Sequence, residues 1–304
     1  MAAPISAESI RRAPKVLLHD HLDGGLRPTT VIELADAVGH ELPTTDPDEL
    51  RAYFVRGAEA RDILRYLETF QHTVGVMQTE DALARVAQEC VEDLAADGVV
   101  YAEVRFAPEL HQQRGLALPA VVEAVLDGLR RGKASASVDG TPIEVNVILC
   151  AMRTEHRSSE IVRLLDDMRG DHPELVAFDL AGAETGYPPS LHADALRYAR
   201  DRGINITIHA SEPPDIELIE DALRHGAQRI GHGVRITSDI TTRDGVDVLG
   251  PVAQRVHDSR IPLEMAPSCH VQIGAVPWFD AHPFVRLMRL GFVVTVNTDN
   301  RLMS

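Results

Sequence analysis

EDALARVAQECVEDLAADGVVYAEVRFAP, residues 80–108, carries two structural periods back to back. The first part is helical: Leu83, Val86, Ala87, Val91 and Leu94 recur at three- and four-residue spacing, and Gly98 follows as a C-terminal stop. The second part, VVYAEVRFAP (99–108), is a short apolar run of the kind buried on both faces of a parallel sheet. The same alternation extends in both directions. Strand-like runs are VLLHDH (16–21), PIEVNVILCAM (142–152), ELVAFDLAG (174–182), INITIHASE (204–212), QRIGHG (228–233), IPLEMAPS (261–268) and GFVVTVNTD (291–299). Amphipathic helical stretches lie between them, among them AVVEAVLDGLRRG (120–132), SEIVRLLDDMRG (159–170) and HPFVRLMRLG (282–291).

Eight strands alternating with helices predict an α/β fold, a TIM (β/α)8 barrel, and the chain is near the ~250 residues usual for that fold. No interdomain linker interrupts it, and TGYPPS (185–190) reads as a loop, so residues 1–304 are expected to form a single domain. The largest insertion, residues 29–78, follows the first strand and contains more than one helical piece. In a barrel it would lie over the C-terminal face, where active sites sit. The eighth strand ends near Asp299 and the chain ends at Ser304, so the final barrel helix is expected to be absent from this chain.

Composition narrows the function. With 46 Asp and Glu against 30 Lys and Arg, the formal charge is −16, which disfavours a nucleic-acid partner. No apolar run reaches membrane-spanning length, and MAAPISAESIRRAPK lacks the apolar core of a secretory signal. Cys90, Cys150 and Cys269 are too few for a disulfide framework. These features predict a soluble cytoplasmic protein. Nucleophile-elbow, phosphate-loop, dinucleotide-binding, H-E-x-x-H and C-x-x-C patterns are all missing, as is the zinc signature of cytidine-type deaminases.

Polar residues cluster at the strand ends instead. His19 and His21 are two apart on a strand, so both face one side. His209 closes NITIHA and Asp299 closes VVTVNTD. Three histidines and an aspartate at the same end of three buried strands form a metal constellation, because a carboxylate buried there needs a cation. Glu212 lies three residues beyond His209 and suits a general acid or base; Pro213 and Pro214 also fit a helix start, where Glu212 would merely favour the dipole. His232 stands between Gly231 and Gly233, accessible at a strand end and suited to act on an attacking water. His270 and Cys269 are expected near the pocket wall, with Cys269 not a nucleophile. The remaining histidines, apart from a less clear His282, read as surface or core.

At these residues the chain resembles the adenosine deaminase family of metal-dependent amidohydrolase barrels. The motifs are PKVLLHDHLDGGLRP, VVYAEVRFAP, DLAGAE, TIHASE, RIGHGVRI, PLEMAPS and TVNTDN, spanning about Pro14 to Ser304. The resemblance implies one zinc ion per chain, held by His19, His21, His209 and Asp299, with His21 also facing substrate. It implies Glu212 as proton donor to purine N1 and His232 as the residue that orients and helps deprotonate the attacking water. It implies Gly182 as the backbone approach to the purine, Asp23 as the ribose-end contact and Asn300 as a contact to the base. The implied reaction is hydrolytic deamination of adenosine or 2′-deoxyadenosine to inosine and ammonia in purine salvage, the partner being a small purine nucleoside. The alternatives are adenine or a modified adenosine, such as aminofutalosine or a 5′-substituted nucleoside, and a non-catalytic purine-binding protein. Three departures bear on substrate. Ser211 stands where the family usually has Gly, Asp299-Asn300 where many members have two Asp, and Ser268-Cys269-His270 where a Ser-Asn type sequence is common.

Overall fold

The structure is a computed structural model that describes residues 6–213 and 215–304. Pro214, read above as part of a helix start, and the first five residues of the N-terminal segment lie outside them. The eight expected strands are present: β1 (Lys15–His21), β2 (Val99–Phe106), β3 (Glu144–Met152), β4 (Leu175–Ala181), β5 (Asn205–Ala210), β6 (Arg229–His232), then β9 (Leu263–Met265) and β10 (Val294–Val296). They form one sheet in the order β1-β2-β3-β4-β5-β6-β9-β10, each pair parallel. The sheet curls until β10 meets β1. There a single bridge joins Asp20 to Asp299, with His21 N–H donating to Asp299 O at 2.7 Å and Asp299 N–H to His19 O at 3.0 Å. A (β/α)8 barrel follows, as the alternation predicts.

β10 is short, so side chains finish the seam. Asn297 Oδ1 accepts from Leu18 N–H at 3.0 Å, while its Nδ2 donates to Met265 O at 3.2 Å. Asp20 is fully buried on the outer side of β1. It accepts from Thr298 Oγ1 at 2.8 Å and from Arg301 Nε at 3.0 and 3.1 Å. The turn after β10 is then held by Leu302 N–H on Gly24 O at 2.9 Å.

The helix Glu80–Ala96 shows why the local pattern succeeds. Thr79 caps it by accepting from Ala82 N–H at 3.2 Å, Glu80 and Asp81 face the dipole in the first turn, and Gly98 takes φ +81° just beyond its end. Its apolar stripe is buried. It packs closely on the helix Leu118–Val138, where a Cβ at Gly128 or Gly132 would collide with Ala84 or Val91. The insertion after β1 resolves into helices Pro28–Val38, Pro47–Ala58, Ile63–Glu68 and Phe70–Val76. One feature falls outside the predicted alternation. Between β6 and β9 the chain makes an antiparallel hairpin, β7 (Ile240–Arg243) with β8 (Val246–Leu249). Its turn is Asp244-Gly245, both at positive φ (+49° and +77°), the conformation that an Asp-Gly pair favours. Among the described residues no helix is long and apolar enough to cross a membrane.

Arg301→Met should leave Asp20 buried beside half its partners. Urea unfolding of the metal-free protein is expected to show a loss of about 3–5 kcal/mol, the cost of stranding a buried charge. Unchanged stability would mean the seam does not depend on this pair.

Candidate active site

The C-terminal strand ends bring the expected residues together. Period-two alternation turns His19 and His21 inward from β1, while β5 delivers His209 and β6 delivers His232. Asp299 enters from the seam. His21 Nε2 lies 3.1 Å from His209 Nε2, and Asp299 Oδ1 lies 3.4 Å from His19 Nε2 and 3.5 Å from His21 Nε2. Two ligand atoms sharing a tetrahedral zinc at about 2.0–2.1 Å stand about 3.3 Å apart, so this spacing suits one ion.

Beneath the histidines lies a layer of charge. Glu264 Oε2 sits 3.1 Å from His19 Nδ1, and Asp179 Oδ2 sits 2.8 Å from His209 Nδ1. Both carboxylates are held by Arg105, whose Nη1 donates to Asp179 at 2.7 Å and whose Nη2 donates to Glu264 at 2.7 Å. All three side chains are fully buried. Burial opposes the charge on Arg105, but Glu264 and Asp179 outweigh it and push its pKa up. Burial likewise opposes ionisation of Asp179, yet His209 and Arg105 hold its carboxyl well below the usual range. With Glu264 beside Nδ1 of His19 and Asp179 beside Nδ1 of His209, these two histidines present Nε2 to the cavity.

This donor set fits a divalent cation. His19 Nε2 is buried without a hydrogen-bond partner, aimed at the point where the other Nε2 atoms converge. Burial holds His19 and His21 well below the usual imidazole pKa, in the neutral form that binds metal. Arg229 pairs with both Glu103 and Glu264, so Arg105 and Arg229 together face the four carboxylates of Glu103, Asp179, Glu264 and Asp299. That surplus of two negative charges is one that a divalent ion offsets. Burial pushes Asp299 up, the sign of a carboxylate short of positive charge.

The strand ends also carry unusual backbone. Ser211, His232 and Asp299 all have positive φ, at +74°, +64° and +62°. Left-handed backbone costs a residue with a Cβ roughly 1–2 kcal/mol. The conformation at Ser211 gives a physical reason for the glycine usual there in the family. Ser211 is tolerated because Glu184 binds the turn, accepting Ser211 N–H at 2.6 Å and Glu212 N–H at 3.3 Å. Its hydroxyl is buried without a partner and does not enter the cavity wall.

Above the histidines is a cavity of about 350 Å³, open to solvent. Glu212 projects into it with Oε1 3.4 Å from His232 Nε2. Burial, with Glu184 and Asp299 nearby, pushes the Glu212 carboxyl well above its ordinary value. The next helix begins at Glu217, so Glu212 stands ahead of the helix rather than in its first turn. Asp23 lines the cavity; burial raises its pKa to about 7, and Oδ1 has no partner. Gly182 also lines it, at φ +93°, where a Cβ would strike Met152 Cε. Asn300 Nδ2 lies 2.6 Å from Tyr66 Oη, a residue of the insertion helices. The other amide atom, Oδ1, is packed against Gly24 and buried without a hydrogen-bond partner.

Two expectations are corrected. Cys269 and His270 do not line the cavity. Cys269 stands behind Glu212, with Sγ 3.7 Å from Oε1, and His270 is fully buried behind His232. The sequence reading also assigned no role to Arg105, Asp179, Glu184 or Glu264. Each sits in a strand or strand-end motif already quoted. A charged residue inside an apolar strand was the available signal, since burial demands a partner. Asp179→Asn should weaken zinc binding about 10–100-fold while leaving the ligand set intact. Competition titration with a chelator checks this, and wild-type affinity would show that Asp179 does not brace His209.

Comparisons with known proteins agree with this geometry. The family model described as adenosine deaminase matches residues 14–304. An adenosine deaminase of Mycolicibacterium vanbaalenii is 56% identical over 307 residues, covering 100% of this chain and 84% of the relative. Adenosine deaminase 1 of Streptomyces coelicolor is 54% identical, covering 98% of this chain and 76% of the relative. Among solved structures, an adenine deaminase from Arthrobacter aurescens superposes with a TM-score of 0.80 at 28% identity, covering 95% of this chain and 83% of that one. Fold, site and sequence together place this chain in the adenosine deaminase family.

Proposed function

We propose that this chain hydrolyses adenosine or 2′-deoxyadenosine to inosine and ammonia in cytoplasmic purine salvage, with one zinc ion held by His19, His21, His209 and Asp299. One observation carries the reading: the Nε2 atoms and Asp299 Oδ1 converge at the floor of a cavity whose wall holds Glu212, a carboxyl pushed well above its ordinary pKa by burial. Zinc in such a site lowers the pKa of bound water to about 7, which supplies hydroxide near neutrality.

The chain's own residues do the rest. Purine C6 is a poor electrophile until N1 is protonated. Glu212, whose pKa burial and its carboxylate neighbours push up in the direction that favours the acid form, donates that proton. His232, beside Glu212, orients the oxygen that attacks C6. The exocyclic amine then takes the proton of the oxygen that has added to C6 and departs as ammonia, leaving a C6 carbonyl and the N1 proton that Glu212 supplied. Gly182 lets the backbone approach the base, and Asn300, held by Tyr66, contacts its far edge. An amide donates to a ring nitrogen without needing the protonation that a second Asp would need. Asp23 meets the ribose, where a carboxyl titrating at about 7 can exchange hydrogen bonds with a hydroxyl.

The ribose contact favours a nucleoside over free adenine. So do the relatives, since those at 54–56% identity are named adenosine deaminases while the adenine deaminase stands at 28%. A non-catalytic purine binder would not need the Glu212 carboxyl buried beside His232 at the cavity wall.

Zinc-loaded protein with adenosine should show the ultraviolet change to inosine, with adenine and 5′-modified adenosines turned over poorly. Preferential turnover of one of those would reassign the substrate. Glu212→Gln should keep zinc and purine binding but lose about 10²–10⁴-fold in kcat, because an amide cannot transfer the proton. Asp299→Ala should lose zinc, and full occupancy by elemental analysis would remove it from the ligand set.

A further inference from the structure

Behind His232 runs a file of imidazoles that ends on the backbone. His232 Nδ1 lies 3.1 Å from His270 Nε2. His270 Nδ1 lies 2.9 Å from His282 Nε2. His282 Nδ1 accepts from the Phe284 N–H at 3.2 Å. His232 and His270 are buried, and His282 is half-buried, with its ring coplanar with that of His270 and joined to it edge to edge, 5.2 Å between centroids.

The last contact has a definite direction, because a peptide N–H can only donate. His282 Nδ1 is therefore an acceptor, and a neutral His282 carries its proton on Nε2. That N–H donates to His270 Nδ1, which places the His270 proton on its own Nε2. That N–H donates in turn to His232 Nδ1. Burial lowers the pKa of both His270 and His282, which favours the neutral rings that this order requires.

We infer that His270 is a positioning residue: it transmits the Phe284 N–H through His282 and holds His232 as the tautomer with its proton on Nε2. The inference rests on the proposed role of His232 at the attacking oxygen. His232 Nε2 faces Glu212 and the cavity, so the nitrogen it presents there is a donor. It orients the attacking oxygen by donating to it. The share in deprotonation that the family resemblance implies for His232 is closed to this tautomer. With Nδ1 protonated instead, the N–H groups of His232 and His270 would point at each other unless all three rings changed tautomer, and His282 Nδ1–H would then oppose the Phe284 N–H. An amide at position 270 also has a donor for His232, but its donor and acceptor sit on one carbon, whereas the imidazole places them on opposite sides of a rigid ring that spans the gap between His232 and His282. His270 therefore gives this chain a longer, stiffer file than the Ser-Asn type sequence provides.

Two measurements test this on the zinc-loaded protein. Long-range ¹⁵N–¹H correlation spectra of histidine-labelled enzyme should show His232 protonated at Nε2 and bare at Nδ1; the opposite tautomer would overturn the inference, whatever the activity. His270→Phe keeps the ring but removes both nitrogens. It should lower kcat on adenosine about 10–100-fold with KM and zinc content unchanged, the size typical of removing a hydrogen-bond partner behind a site residue. His270→Gln, which restores a donor toward His232, should recover most of that loss. Unchanged kcat in His270→Phe would overturn the positioning role. If His232→Ala also kept full kcat, the role of His232 itself would fall; loss in His232→Ala with none in His270→Phe would overturn this inference alone.

Discussion

One guanidinium organises the centre of the barrel. Arg105, fully buried on β2, binds Asp179 on β4 and Glu264 on β9, and these in turn contact His209 on β5 and His19 on β1. Five strands thus answer to one planar fork, whose geometry leaves little freedom in where the carboxylates sit. The histidines inherit that order: each has one nitrogen committed and one free. The same group balances charge. Without Arg105, Asp179 would lose its buried guanidinium and Glu264 would keep only Arg229; with it, the layer still keeps the negative surplus that suits a divalent cation.

A second constraint couples the site to the integrity of the fold. Asp299 is a proposed metal ligand and also the residue whose backbone closes β10 onto β1. Its positive φ, like those of Ser211 and His232, places left-handed backbone at three of the strand ends that line the proposed active site. Such backbone persists only where its surroundings over-determine it. Here Glu184 clamps the turn after β5, and Asn297, Thr298 and Arg301 clamp the seam. Chemistry and closure share the same few residues.

Much of this was legible beforehand. The helix at 80–96 followed from its spacing and the stop at Gly98, and the eight strands followed from apolar runs at regular intervals. His19 and His21 declared a common face through their spacing of two. The hairpin at 240–249 was marked by Asp244-Gly245 but hidden inside a region expected to hold only a barrel crossover. Cys269 and His270 were placed at the cavity because they follow a strand end. Instead, the helix Pro267–Gln272 begins there and turns both side chains behind the site.

What the sequence determined by itself was the alternation, the strand ends and the residue types found there, since periodicity and side-chain chemistry are local properties. What only tertiary structure decided was pairing: Arg105 with Asp179 and Glu264, Glu184 with the turn at Ser211, Asn300 with Tyr66, and His232 with His270 and His282. These partners stand 27 to 234 positions apart in the chain, apart from the 12 between His270 and His282. No local period encodes such distances. They arise when eight strands close into a ring, and the requirement that every buried charge find a partner then selects which side chains meet.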